Sequence, residues 1–471
     1  MAYKKKISVF GERLMKKIIL IFGLLVYNIC FASEITILHT SDTHGRISPI
    51  EYKGVKNSGG FSRRVTFVND MRKTNKNILL LDSGDYFQGS LYYRLDYGKS
   101  GAKLMPYINY DAVALGNHEF DNGIKILKRN IKLSKTQFIT SNVHFKDKYL
   151  QKAVKPYILK EFDREKYLII GATTSELSNL ANTKELTVTN PIDEINKIIK
   201  QVPHDKVIIL SHCGLNEDRA IAKAIPQIDL ILGGHNHYFF TTPDYTGKTP
   251  IIQDGEFGIR VGIIDFDKKL KHYTYKNITS ELKTNNDVDI QIAKLDKKNK
   301  KFTNEVVAAS NIILIGDQNT IEHNQTNLGS LVLMSMKKPF KNNYDAIITN
   351  SGSIRINRNL KGNITYANLL EILPFDNDVV MVEIQGKYLK EVLKHGQQTN
   401  RRYLQYYLKD KNIDENKNYK VITNSYIASG KDGYEGFRHA KIIQKSTKKP
   451  VKLLQETLQD LKVITNDNIK L

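Results

Sequence analysis

Seven short phrases set Asp, Asn or His just beyond apolar runs. They are Ser41-Asp42-Thr43-His44, Gly84-Asp85, Gly116-Asn117-His118-Glu119, Phe120-Asp121, Ser211-His212, Gly234-His235 and Asn236-His237. A carboxylate such as Asp85 can bridge two cations, Asn117 offers a neutral carbonyl oxygen, and the histidines offer ring nitrogens. Mixed oxygen and nitrogen ligands suit Zn²⁺, Mn²⁺, Co²⁺ or iron, and the absence of thiolates argues against a closed structural zinc site. Two such ions about 3.5–4 Å apart clamp a phosphoryl group and generate hydroxide from water. His118 can then handle the charge on the leaving oxygen while Asp121 holds its other ring nitrogen. Asp121 has an alternative role as N-cap of a helix over residues 123–127. An eighth phrase, Asn350-Ser351-Gly352, opens a second region expected to hold the rest of a substrate.

The elements that position these residues are legible as runs. Residues 35–38, 78–81, 112–115, 207–210 and 230–232 are continuous runs of apolar and β-branched residues, the pattern of strands buried on both faces. Each ends in one of the polar phrases, where α/β folds place their sites. Helices are expected over residues 190–201 and 216–224, and a polar surface helix and loop over 283–304. Strand character resumes at 306–315. A helix over 324–336 follows, with Leu328, Leu331, Val332 and Met336 on one face. Residues 344–471 form a second α/β region. The fold class is therefore α/β in two parts.

The chain of 471 residues, 41% hydrophobic, is long enough for two or three domains with real cores. Its charge of +22 is spread over scattered lysines and carries no nucleic-acid motif, so a solvated surface is expected and no nucleic-acid partner. The N-terminus reads as a signal peptide over residues 1–32. Met15-Lys16-Lys17 is followed by an apolar run over 18–29 and by Ala32 before a cut at Ser33. Met15 is a second candidate start. Removal of that segment leaves Cys213 as the sole cysteine, a small buried residue by expectation, and no stable membrane anchor. The expected location is periplasmic or extracellular.

The longer phrases carry a resemblance. Residues 37–45 (ILHTSDTHG), 82–90 (DSGDYFQGS), 110–123 (YDAVALGNHEFDNG), 325–331 (QTNLGSL) and 350–355 (NSGSIR) resemble the 5′-nucleotidase / UDP-sugar hydrolase family of calcineurin-like metallophosphatases. Leu373-Pro374-Phe375 and Asp432-Gly433-Tyr434 continue the match. The resemblance implies a four-layer α/β/β/α metal domain at 33–322, a linking helix at 323–340 and an α/β nucleotide-binding domain at 341–471. It implies two divalent metal ions. Asp42, His44, Asp85 and His237 would hold one, and Asp85, Asn117, His212 and His235 the other. His118 and Asp121 match the catalytic pair, and Arg355 a substrate-binding arginine. Tyr403 and Tyr426 fall where phenylalanines sandwich the base, and Asp432 where an acid holds the sugar.

Three positions depart from the family pattern: Ser353 and Lys431 replace glycines, and Asp376 stands where Leu-Pro-Phe is usually followed by Gly. The stretch between Tyr403 and Tyr426 also looks shortened. The expected activity is a 5′-nucleotidase releasing nucleoside and phosphate by a two-metal-activated water. Cleavage of phosphoanhydrides in UDP-sugars or dinucleotides is the alternative within the same chemistry. A nucleotide-binding surface protein without catalysis is the alternative of another class.

Overall fold

The structure is a computed structural model that describes residues 35–180, 185–341, 343–398 and 403–470. The signal peptide expected over 1–32 lies outside them. Two six-stranded sheets form the first part. One runs Leu270–Asn277, Arg260–Phe266, Ile35–Thr40, Ile78–Asp82, Ala112–Ala114, Phe138–Ile139. The other runs Asp244–Thr246, Thr249–Gln253, Leu230–Gly233, Lys206–His212, Glu165–Thr173, Tyr157–Phe162. The strands that lead into the polar phrases pair in parallel within each sheet, so their C-terminal ends share one rim.

Strand alternation builds the layers. Ile35, Ile37, Leu79 and Leu81 face Ile208, Leu210, Leu230 and Leu232 of the other sheet. Leu38 and Leu80 point the opposite way, into a core shared with the helices Phe61–Thr74, Lys99–Ile108 and Gly123–Ser134. Ile209 and Ile231 meet the helices Pro191–Gln201 and Leu215–Ala224 on the far side. The result is the expected α/β/β/α stack. Each fully buried Ile or Leu contributes about 1.5–3 kcal/mol, which holds the rim rigidly enough to support strained loops.

The second part has a five-stranded sheet, in the order Leu404–Leu408, Ala346–Asn350, Asn418–Asn424, Val379–Gln385, Lys441–Lys445. A smaller sheet joins Leu360–Thr365, Val306–Leu314 and Val463–Ile464. The helix expected at 324–336 begins at Asn327, because the Thr326 hydroxyl accepts the Gly329 N–H as its cap. Gln325 instead donates to the Leu404 carbonyl, fastening the chain ahead of the helix to the sheet. Leu328, Leu331, Val332 and Met336 are all buried in the second core. That core also takes in Val307, Ala308 and Leu314 of the strand before the helix.

Candidate metal centre and substrate cleft

The rim gathers all seven expected ligands. Ligand atoms of Asp42, His44 and His237 lie within 4.8 Å of one another, and so do those of Asp85, His212 and His235. His44 Nε2 and His237 Nε2 stand 3.2 Å apart. The Asn117 side-chain oxygen sits 3.0 Å from His235 Nδ1. Asp85 lies between the groups: its Oδ2 is 3.0 Å from His212 Nε2, and its Oδ1 accepts the His118 N–H at 2.8 Å.

The local backbone is strained to achieve this. Asp42, His44, Asp85, His235 and His237 all adopt positive φ, between 47° and 75°. A side chain in this region costs on the order of 1–2 kcal/mol per residue, and Asp and His tolerate it better than branched residues. Five such residues on one rim mark a functional site rather than accidental turns. Gly116 allows the closest approach, since a Cβ there would stand 2.2 Å from Asp85 Oδ1.

Electrostatics separates the histidines. Burial holds His44 well below its ordinary pKa, and burial with the neighbouring His212 pushes His235 down to about 4. Both are neutral and ready as ligands. Burial also opposes charge on His212 and His237, but Asp85 and Asp42 respectively outweigh it and push each up to about 10. The two carboxylates are held low in turn, against their own burial, by those histidines. The pocket thus demands positive charge.

Divalent cations meet that demand. His44 Nδ1 and His212 Nε2 are buried without a hydrogen bond. His212 Nδ1 donates to the Ser83 carbonyl at 2.7 Å, so Nε2, which faces Asp85, is the nitrogen that would give up its proton to a cation. The donor set therefore fits divalent metals.

Supports that the motifs did not reveal surround this set. The buried Glu119 carboxylate accepts the Gly116, Asp85 and Phe87 N–H groups, at 2.7–3.1 Å, and so holds the Asp85 turn. Glu256 Oε2 lies 2.7 Å from His237 Nδ1, and Tyr52 donates to its other oxygen. His39 is fully buried between Asp254 and Ser83. Glu119 was visible inside Gly-Asn-His-Glu; Glu256 had no sequence signal. Cys213 is buried as expected.

His118 and Asp121 form a pair, Nδ1 to Oδ2, at 2.7 Å. Burial lowers the His118 pKa, but Asp121 and Asp85 together push it up to about 9. The alternative for Asp121 is corrected: the helix Gly123–Ser134 has Asn122 at its N-cap position and no side-chain cap bond. The carboxylate is turned to the imidazole instead.

The second part closes over this pair. The Phe375 ring lies nearly parallel to His118, centroids 6.3 Å apart, and the exposed Arg355 guanidinium is 5.8 Å from that Phe375 ring. Tyr426 donates to Asp432 Oδ1 at 2.9 Å, and Asn350 donates to Oδ2 at 3.1 Å. Tyr403 joins through its carbonyl, which accepts the Ser351 N–H at 2.7 Å. Asp376, the departure after Leu-Pro-Phe, has a partner across the two parts: Arg94 at 2.8 Å, with Tyr97 donating as well.

Two family profiles match this chain: calcineurin-like phosphoesterase over residues 35–239, and the 5′-nucleotidase C-terminal domain over 306–409 and 402–439. The chain belongs to the 5′-nucleotidase family. It is 27% identical to the 5′-nucleotidase of Homo sapiens over 531 residues, covering 95% of this chain and 92% of that protein. The trifunctional nucleotide phosphoesterase protein YfkN of Bacillus subtilis is 26% identical over 86% of this chain, which spans only 32% of that longer relative. The crystal structure of a 5′-nucleotidase precursor from Thermus thermophilus superposes with a TM-score of 0.80 at 25% identity, covering 92% of this chain and 97% of that one. As a member of the 5′-nucleotidase family the protein is a metal-dependent phosphoester hydrolase.

Proposed function

We propose that this protein is a 5′-nucleotidase, exported to the periplasm or beyond, that hydrolyses nucleoside 5′-phosphates to nucleoside and phosphate. The observation that carries this reading is the meeting of His118–Asp121 with Phe375 and Arg355 from the second part, directly beside the Asp85 ligand cluster. Asp42, His44, Asp85 and His237 would hold one divalent ion, and Asp85, Asn117, His212 and His235 a second, with zinc, manganese or cobalt suited to the donors. Bound there, they supply charge neutralisation at the phosphoryl group and a water acidic enough to ionise near neutral pH.

The chain's own groups do the rest. His118, protonated and held by Asp121, gives its proton to the departing nucleoside oxygen. Arg355 pairs with phosphate oxygens through its planar fork of donors. Asp432 keeps acceptor capacity for sugar hydroxyls beyond the bonds it already receives, and the Tyr426 and Tyr403 rings stack on the base. Metal chemistry is assigned to the first part and nucleotide recognition to the second, which takes in the strand Val306–Leu314 and the helix Asn327–Lys337 together with residues 341–471. Among the described residues no helix is long and apolar enough to cross a membrane.

Nucleotide recognition, as opposed to general phosphoester hydrolysis, is tested at Tyr426. Loss of one stacking ring costs about 1–3 kcal/mol per base. Tyr426→Ala therefore raises KM for AMP by about 10-fold or more. Turnover of p-nitrophenyl phosphate, which has no base, should barely change. An unaltered KM for AMP would overturn the assignment of Tyr426.

A further inference from the structure

Ser83 stands where the two sheets of the first part meet the ligand rim, and it touches the approach to four ligands. Its N–H donates to the Thr40 carbonyl at 2.9 Å, two residues before Asp42. Its hydroxyl donates to the Leu232 carbonyl at 2.7 Å, three residues before His235. Its own carbonyl accepts His212 Nδ1 at 2.7 Å, and Asp85 follows it two residues later. The contact with His212 is enclosed. A Cβ on Gly234 would stand 3.0 Å from His212 Nδ1 and 3.2 Å from the Ser83 carbonyl oxygen.

A hydroxyl carries a single hydrogen, and the Leu232 carbonyl takes the one on Ser83. The Ser83 hydroxyl oxygen can then only accept from His39, whose Nε2 lies 2.8 Å away and so carries a proton. His39 belongs to the strand Ile35–Thr40 and is fully buried. Its other nitrogen, Nδ1, is 2.7 Å from Oδ2 of Asp254, a side chain equally shut off from solvent. Asp254 Oδ1 receives the Tyr273 hydroxyl at 2.8 Å and lies 3.4 Å from Arg260 Nε. The Arg260 guanidinium in turn donates to Tyr273 and to the Phe240 carbonyl. Gly262 leaves room for the carboxylate, since a Cβ there would stand 2.1 Å from Asp254 Oδ2.

A buried ionic cluster is a weak source of stability, and apolar side chains of similar volume would pack the two sheets as well or better. What apolar side chains cannot do is aim a hydroxyl. The run of contacts from Arg260 through Asp254 and His39 ends on Ser83, whose carbonyl orients the His212 ring.

We propose that His39 is a positioning residue for metal binding. By donating to the Ser83 hydroxyl it locks the Ser83 peptide, and the locked carbonyl presents His212 Nε2 to the cation assigned to Asp85, Asn117, His212 and His235. The inference rests on the two-ion reading of the site and adds to it a residue that touches neither ion.

The test separates the two ring nitrogens. His39→Asn reaches only as far as Nδ1, so it keeps the Asp254 contact and loses the donor to Ser83. His39→Gln reaches as far as Nε2 and keeps that donor. Zn²⁺ binding to the chelator-stripped protein is followed by competition with a chromophoric chelator. His39→Asn should weaken one of the two ions by about 10–100-fold, the usual effect of losing a partner that orients a ligand, and leave the other near its wild-type affinity. His39→Gln should hold both near the wild-type values. Ser83→Ala should reproduce the loss seen in His39→Asn, and the double variant should bind no more weakly than either single one. Wild-type affinity in His39→Asn, equal losses in His39→Asn and His39→Gln, or losses that add in the double variant would each overturn the proposal. Where His39→Asn does not fold, Ser83→Ala decides alone, and wild-type affinity in that variant overturns it. A wild-type protein that binds fewer than two ions instead overturns the two-ion reading beneath it.

Discussion

Replacement of Asp85 by Asn should give a folded chain that no longer gains thermal stability from divalent cations and whose phosphate release falls by roughly 10³-fold or more, beyond the ~10–100-fold cost of losing a mere support of a ligand. Asp85 serves three contacts at once. It faces His212 Nε2 at 3.0 Å, receives the His118 N–H, and sits between the two ligand groups. Asn keeps the shape and retains an oxygen for the His118 N–H. It removes the charge that two cations would share, and its amide N–H₂ caps His212 Nε2. The same change breaks the buried Asp85–His212 pair of the metal-free protein, so its melting temperature in chelator should fall below that of the wild type. Calorimetry with and without Mn²⁺ separates the outcomes. A cation-induced rise equal to that of the wild type would remove Asp85 from metal binding.

His118→Ala tests the proton donor in isolation. The expected loss in turnover is about 10²–10⁴-fold, with two metal ions per chain still found by elemental analysis. The prediction follows from orientation. Nδ1 is committed to Asp121 at 2.7 Å, so the other nitrogen is left to serve the leaving oxygen. Burial lowers the pKa of the ring, and Asp121 and Asp85 raise it to about 9. The imidazole therefore holds a proton in the range where a leaving alkoxide needs one. Substrates with good leaving groups, such as p-nitrophenyl phosphate, should lose much less. Unchanged turnover of AMP would exclude His118 from the reaction, and loss of metal along with activity would make it a ligand instead.

The candidate ligands could be picked out because each follows a buried strand within a few residues, where local sequence dictates geometry. Parallel strands ending on one rim then bring Asp42 and Asp85 within 3.9 Å and 3.0 Å of His212 although their separations in sequence are long. The layered arrangement could be read the same way, from runs such as 78–81 that alternate between two cores. What stayed hidden depends on partners that only the folded chain supplies. Glu256 reaches His237 from a loop with no distinguishing composition. Asp376 looked like an anomaly after Leu-Pro-Phe until Arg94, 282 residues away, provided its counter-charge. The helix start shifted from 324 to 327 because Gln325 is captured by a strand 79 residues later. Asp121 was ambiguous between a helix cap and the partner of His118 for a similar reason: one carboxylate can serve either, and the position of His118 decides.

The most direct test strips the protein with chelator and restores Mn²⁺, Zn²⁺ or Co²⁺ singly. Phosphate release is then followed from AMP, ADP, UDP-glucose, NAD and a 2′,3′-cyclic nucleotide, with a coupled phosphatase to reveal which bond is cut in the last three. The expected result is no release after stripping and cation-dependent release led by AMP, with the last three slower. Cleavage of UDP-glucose or NAD without turnover of AMP would contradict the nucleotidase assignment. Bound metal with no turnover of any substrate would contradict catalysis itself.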